Sequence, residues 1–179
     1  MSWLGIEVLR RWPGRLSSGV LQEMKITPRV GAANARFGMT VHEGIEAMGV
    51  PDRDYIDDDG DRCLCYDRLG LVLRFEEVHC GRLGWIMVLN PEATIRGRRA
   101  IGIRFSEIES FLDAEFVEAK DYQDFGYWCS TTWVASWLEV QYALGWVQQI
   151  NLGVCFDDAD EPLWPEETTA EQIAAADRH

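Results

Sequence analysis

The sequence predicts an α+β protein made of two tandem α-β-β-β repeats. Their strands are expected to join in one continuous antiparallel sheet with short helices on one face. Three observations carry this expectation. The stretch "GMTVHEGIEAMG" (38–49) returns without a gap as "GIRFSEIESFLD" (102–113). Each copy is followed by short segments of alternating polarity, which read as strands. The 179 residues are 47% hydrophobic, enough to form a buried core.

The first helix is the best specified element. Thr40 and Glu43 have capping-box spacing, Val41, Ile45 and Met48 fall on one helical face, and Gly49 with Pro51 ends the run. A helix of little more than two turns is unstable alone and must lie against the rest of the fold. Three strands are expected next, over "RCLCY" (62–66), "LGLVLRFEE" (69–77) and "RLGWIMVLN" (82–90). In the second, Leu69, Leu71, Leu73 and Phe75 share one face, and Val72, Arg74 and Glu76 the other. "NPEATIRGRRAIG" (90–102) reads as a connection with a basic centre.

The second copy is more worn. Arg104 stands where Thr40 caps the first helix, and Ser106 with Glu109 offers a substitute cap. "LGW" at 83–85 recurs at 144–146, and Leu71, Val72 and Phe75 correspond to Trp133, Val134 and Trp137. Those anchors put the first repeat at 24–100 and the second at 101–156. By alternation Trp133 and Trp137 belong to the core, as does Trp146 by its match to Trp85. A buried Trp ring is worth roughly 4–6 kcal/mol as an upper bound. Trp128, beside Tyr127 in the expected first strand of the second unit, is the aromatic least easily absorbed by a core. Residues 1–23 read as an appendage ending in the breaker "PGRLSSG", with Met24 as an alternative start. Residues 157–179 read as an acidic tail that Leu163 and Trp164 could dock on the body.

The net charge of −13 is concentrated in that tail and in "DRDYIDDDGD" (52–61), which holds six Asp and one Arg. Such acidity argues against nucleic acid as a partner. No apolar run approaches the ~20 residues of a membrane-spanning helix. The N-terminus is a poor secretory signal, and five cysteines without a regular framework suit a reducing compartment, so a cytoplasmic location is expected. Three histidines, no phosphate-binding loop and an Asp-rich loop that fails calcium-loop spacing point away from an enzyme and from any cofactor or metal.

At "GMTVHEGIEAMGVPD" and its repeat, with "ITPRVGAANARFGMT" before them and "PLWPE" (162–166) after, the chain resembles the helix-plus-sheet unit of the SmpA/OmlA lipoproteins. In tandem it resembles the beta-lactamase inhibitory proteins. The resemblance covers roughly residues 24–166 and implies a binding module related to bacterial immunity proteins. No lipobox cysteine and no secreted-type cysteine pairs accompany it. The expected function is therefore a cytoplasmic immunity protein that neutralises a toxin by binding it through its open sheet face. The alternative is a small-ligand or housekeeping role using a pocket on that face. The expected contact residues are Asp54, Asp57, Asp58, Asp59 and Asp61, which would steer a basic protein partner, with Tyr127 and Trp128 as aromatic anchors.

Overall fold

The computed structural model describes residues 24–165. Expectations for residues 1–23, and for the tail beyond residue 165, lie outside the described residues. The first helix, α1 (Val41–Met48), forms as its sequence dictates. Thr40 accepts from the backbone N–H of Glu43, the Glu43 carboxylate accepts from the N–H of Thr40 at 2.8 Å, and Gly49 ends the helix at φ 85°. Gly44 is the contact point with the sheet: a Cβ there would stand 2.9 Å from the Phe75 ring. Only the bare backbone lets so short a helix settle this closely.

Four strands follow α1: β4 (Arg53–Ile56), β5 (Arg62–Tyr66), β6 (Leu71–Glu76) and β7 (Arg82–Val88). Another four follow the second helix, α2 (Phe105–Glu115): β10 (Lys120–Asp124), β11 (Cys129–Trp133), β12 (Leu138–Ala143) and β13 (Trp146–Gly153). The two antiparallel meanders meet where β7 pairs with β13. The result is an eight-stranded sheet of order β10-β11-β12-β13-β7-β6-β5-β4. A second, five-stranded sheet is built from β1 (Lys25–Thr27), β2 (Gly31–Ala32), β3 (Ala35–Arg36), β8 (Thr94–Ile95) and β9 (Arg98–Arg99), with β1 and β8 parallel. A hairpin of β14 (Cys155–Phe156) and β15 (Pro162–Leu163) closes the described chain, and Trp164 packs against Gly38.

The expected α+β class is therefore overturned. Among the described residues there are fifteen strands and two α-helices, and the protein is mostly β. The units expected to hold three strands do not appear, because β4 lies inside the stretch read as an acidic loop and β10 lies in residues 114–126, where no strand is expected. Both strands are edge strands carrying charged and exposed residues, so neither shows hydrophobic alternation. The basic connection is not a loop either: it forms the β8–β9 hairpin.

Two of the sequence correspondences also fail. Leu83-Gly84-Trp85 lies within β7, whereas Leu144-Gly145 is the turn between β12 and β13, with φ 52° and 78°. Leu71 opens β6, whereas Trp133 closes β11. The two identical triplets occupy different backbone environments. Nor does Ser106 cap α2: Arg104 holds the N-cap position without a side-chain hydrogen bond.

One main core joins the two sheets and both helices. Phe75, Leu73, Ile86, Ile108, Leu112, Trp133, Val140 and Ile150 are all essentially solvent-free within it. Trp137 does not belong there. It is 40% exposed, at φ 46°, and its ring lies over Gly153 at the position a Cβ would occupy. The opposite face of the large sheet carries a smaller cluster, Cys63, Cys65, Val72 and Met87, flanked by Tyr55, Trp85 and Leu89. Beside it an amide ladder runs from Gln149 to Asn151 (2.8 Å) and from Asn151 to Glu139 (2.6 Å). Gln149, Asn151 and Ser130 are buried, so this face does not offer the broad open surface expected of it.

Phe75→Ala removes the ring on which α1 rests and is expected to destabilise the fold by ~3–5 kcal/mol. Thr40→Ala, which removes only the cap, is expected to cost ~1 kcal/mol. Urea unfolding of the two variants checks that order.

Candidate functional site

The acidic stretch is a hairpin in which four of the five candidate aspartates are engaged by the protein's own cations and N–H groups. Asp54 forms a two-point ion pair with Arg62, at 2.9 and 2.7 Å. Asp57 accepts the backbone N–H groups of Asp59 and Asp61, both at 3.0 Å, and lies 3.3 Å from Arg74. Asp59 reaches the same guanidinium at 3.1 Å. Asp61, which is buried, accepts from Arg74 Nε at 2.7 Å and from the N–H of Glu77 at 2.8 Å. Arg74 thus gathers three carboxylates and fixes the β4–β5 turn to β6. Of the five candidate aspartates, Asp58 makes no hydrogen bond or ion pair among the described residues. Burial, then the Asp57 carboxylate, pushes the neighbouring Cys63 thiol up to about 12. Burial also raises Cys65 and Tyr55.

The histidines take two different positions. His42 pairs with Glu46 at 3.4 Å in open solvent. His79 lies 3.3 Å from Glu76, enclosed by the Phe156 and Trp164 rings at 5.4 and 5.9 Å. Burial holds the Glu76 carboxyl above its ordinary value, against the pull of His79 and Arg74. Among the described residues no group of three or more His, Cys, Asp or Glu is arranged to hold a metal ion. A hollow of about 240 Å³ opens over β1–β3, lined by Lys25, Thr27, Val30 and Arg36.

Tyr127 and Trp128 are not in a strand. They belong to the tight turn between β10 and β11, where Phe125 donates its N–H to Trp128 O at 3.0 Å and the two rings stack at 3.9 Å. That turn and the acidic hairpin sit at opposite ends of the strands and against opposite edges of the sheet. Seven inter-strand spacings, roughly 34 Å, separate the two edges. The structure does not unite the expected contact residues in one patch.

What it does unite is a second turn. Leu144-Gly145, joining β12 to β13, lies at the same end of the sheet as Tyr127, two strands away or roughly 10 Å. Leu144 is 94% exposed and Tyr127 90%. Around them stand Trp146, with the Arg104 guanidinium 4.2 Å over its ring, Phe105 stacked on Tyr142 at 3.8 Å, and the exposed Tyr122. The sequence singled out Tyr127 and Trp128 but missed Leu144 and Trp146. A two-residue turn between alternating strands was the available signal, and the apparent match to Leu83-Gly84-Trp85 concealed it.

The fold and site define a mostly-β protein with an apolar, aromatic-rich end built from two hairpin tips. No family model matches the chain, and no curated protein matches it. Among solved structures it is similar to an extracellular protein containing a SCP domain from Bacillus anthracis str. Ames, at 10% identity and a TM-score of 0.45. The match covers 91% of this chain and 58% of that one. A likeness at that score carries no argument about fold or function. Among the described residues no helix is long and apolar enough to cross a membrane.

Asp61→Ala leaves Arg74 half-buried with a partner missing and is expected to cost ~3 kcal/mol. Asp58→Ala is expected to stay within about 0.5 kcal/mol of wild type. Chemical denaturation compares them. In the folded protein at pH 8, Cys63 and Cys65 should resist a thiol reagent that labels exposed Cys80. Mass mapping of the labelled cysteines checks this.

Proposed function

We propose that this chain is a protein-binding module whose contact surface is the apolar end formed by the β10–β11 and β12–β13 turns. In that reading it acts in the cytoplasm as an immunity protein, holding a toxin in an inactive complex. Leu144 carries the proposal. A bulky residue at positive φ is costly, and Asn or Gly would serve the two-residue turn better. Exposing the same side chain to water brings no folding benefit. Local strain and exposed apolar surface kept together at one position mark a site retained for something other than folding. Trp146, Tyr127 and Trp128 surround it with the residue types that dominate binding energy. Their tight turns are already ordered, so binding costs little entropy.

The overall charge of −13 favours a basic target through long-range attraction, although the Arg74 clasp removes Asp57 and Asp61 from direct contact. Five unpaired thiols support a reducing compartment.

Leu144→Asn is the decisive variant, because it should relax the turn and raise stability slightly, by ~0.5–1 kcal/mol, while weakening binding. The wild type, Leu144→Asn and Trp146→Ala serve as parallel baits against a lysate of the source cells. The expected result is a protein held by the wild type, at least ~10-fold depleted on both variants, and toxic on expression unless the wild-type chain is present. Equal retention on all three baits overturns the assigned surface. A retained protein that is harmless on its own overturns the immunity role.

A further inference from the structure

The outer edge of β10 carries a different message from the hairpin tips. β10 ends the eight-stranded sheet, its pairing with β11 runs unbroken over five residues, and all five of its residues are exposed. It has no proline and no bulge, and the charged side chains that blunt an edge against other strands, Lys120, Asp121 and Asp124, are here of both signs. The opposite edge, β4, begins two residues after Pro51, and its Arg53 and Asp54 are already held by Asp67 and Arg62.

The direction of the unpaired backbone groups on β10 follows from two hydrogen bonds. Phe125 N–H donates to Trp128 O, and Val134 N–H donates to Ala119 O. In an antiparallel ladder inward and outward bonding alternate residue by residue. Residues 119, 121, 123 and 125 therefore bond inward to β11, and Lys120, Tyr122 and Asp124 direct their N–H and C=O groups outward.

We propose that a second copy of this chain pairs with that edge, β10 against β10, antiparallel about a two-fold axis at Tyr122. The register satisfies both the backbone and the side chains. Tyr122 meets Tyr122, and Lys120 meets Asp124 twice, so the three outward-directed residues form three pairs that exchange about six backbone hydrogen bonds. Asp121 falls opposite Gln123, and no like charges face one another in "KDYQD" read against itself. Asp124 uses one carboxylate oxygen on the N–H of Gly126 at 2.7 Å, which leaves the other for Lys120 of the second copy. Lys120 is already oriented on this side of the sheet by Glu109 and Asp113 of α2, at 3.0 and 2.9 Å.

An isologous pair of this kind is closed and does not propagate into fibres. It joins two sheets into one and carries the Leu144 and Trp146 tips of both copies outside the junction. The inference does not rest on the immunity reading.

The test is light scattering after gel filtration over a wide range of concentration, with wild type, Tyr122→Pro and Asp124→Lys. Wild type is expected at twice 20.4 kDa. Tyr122→Pro removes an outward N–H that no intrachain bond uses and is expected to be monomeric. Asp124→Lys sets lysine against lysine and should weaken the dimer ~10-fold or more. Should Tyr122→Pro fail to fold, hydrogen exchange on wild type replaces it: Lys120, Tyr122 and Asp124 amides should be protected only at high concentration. Leu144→Asn should leave the dimer intact, which separates this surface from partner binding. A wild type that stays monomeric throughout, or a dimer indifferent to both β10 variants, overturns the proposal.

Discussion

The pairing of β7 with β13 is the constraint on which the rest of the architecture depends. Ile86 and Val88 meet Leu152 and Ile150 across that seam, and all four side chains are solvent-free. Two four-stranded meanders, each too narrow to cover a core, become one sheet wide enough for both helices and the smaller sheet to pack against. Burial of these aliphatic pairs supplies the driving force, and the hydrogen-bond ladder fixes the register. Because the seam joins the last strand of each meander, β4 and β10 are left as the two edges. Every surface feature of interest is placed by that arrangement.

It also explains why the acidic hairpin and the aromatic tips are so far apart. The acidic hairpin and the Tyr127 tip each lie in the first strand pair of their own meander, which the seam carries to opposite sides, while the Leu144 tip stands beside the seam at the end of the strands opposite the acidic hairpin. The acidic hairpin then serves mainly to hold its own edge in place. Asp57 and Asp61 are largely withdrawn from water, and such carboxylates persist only when fully partnered. Arg74 and the turn's own N–H groups supply those partners. A dense run of aspartates can thus be in part an internal clasp, with Asp54, Asp58 and Asp59 on its solvent side.

The opposite end of the sheet has the reverse character. Its hydrogen bonds are made, yet Leu144, Tyr127 and Tyr122 stand in water. Stability could be gained there by ordinary turn residues, and the chain does not take it. Strain and exposure occur together at the tips, beside the exposed edge of β10.

Local features were legible in the sequence. The Thr40–Glu43 cap, the Gly49 stop, β5 at Arg62–Tyr66 and the inward face of Leu71, Leu73 and Phe75 depend on neighbours within a few residues, and the structure has them. The acidic stretch and the pair Tyr127-Trp128 were visible as unusual, but not what they contact. β4 and β10 escaped notice because an edge strand needs no hydrophobic alternation: its partner on one side supplies the ladder, and water supplies the rest. Trp133 and Trp137, four residues apart, went to opposite environments because a turn with Trp137 at φ 46° reverses the chain between them. The sequence by itself determined caps, turns and alternation, since these are short-range steric and hydrogen-bonding effects. Only the tertiary structure decided which strands became edges, which carboxylates were neutralised and which aromatics stayed in water, because those outcomes depend on contacts between residues dozens of positions apart.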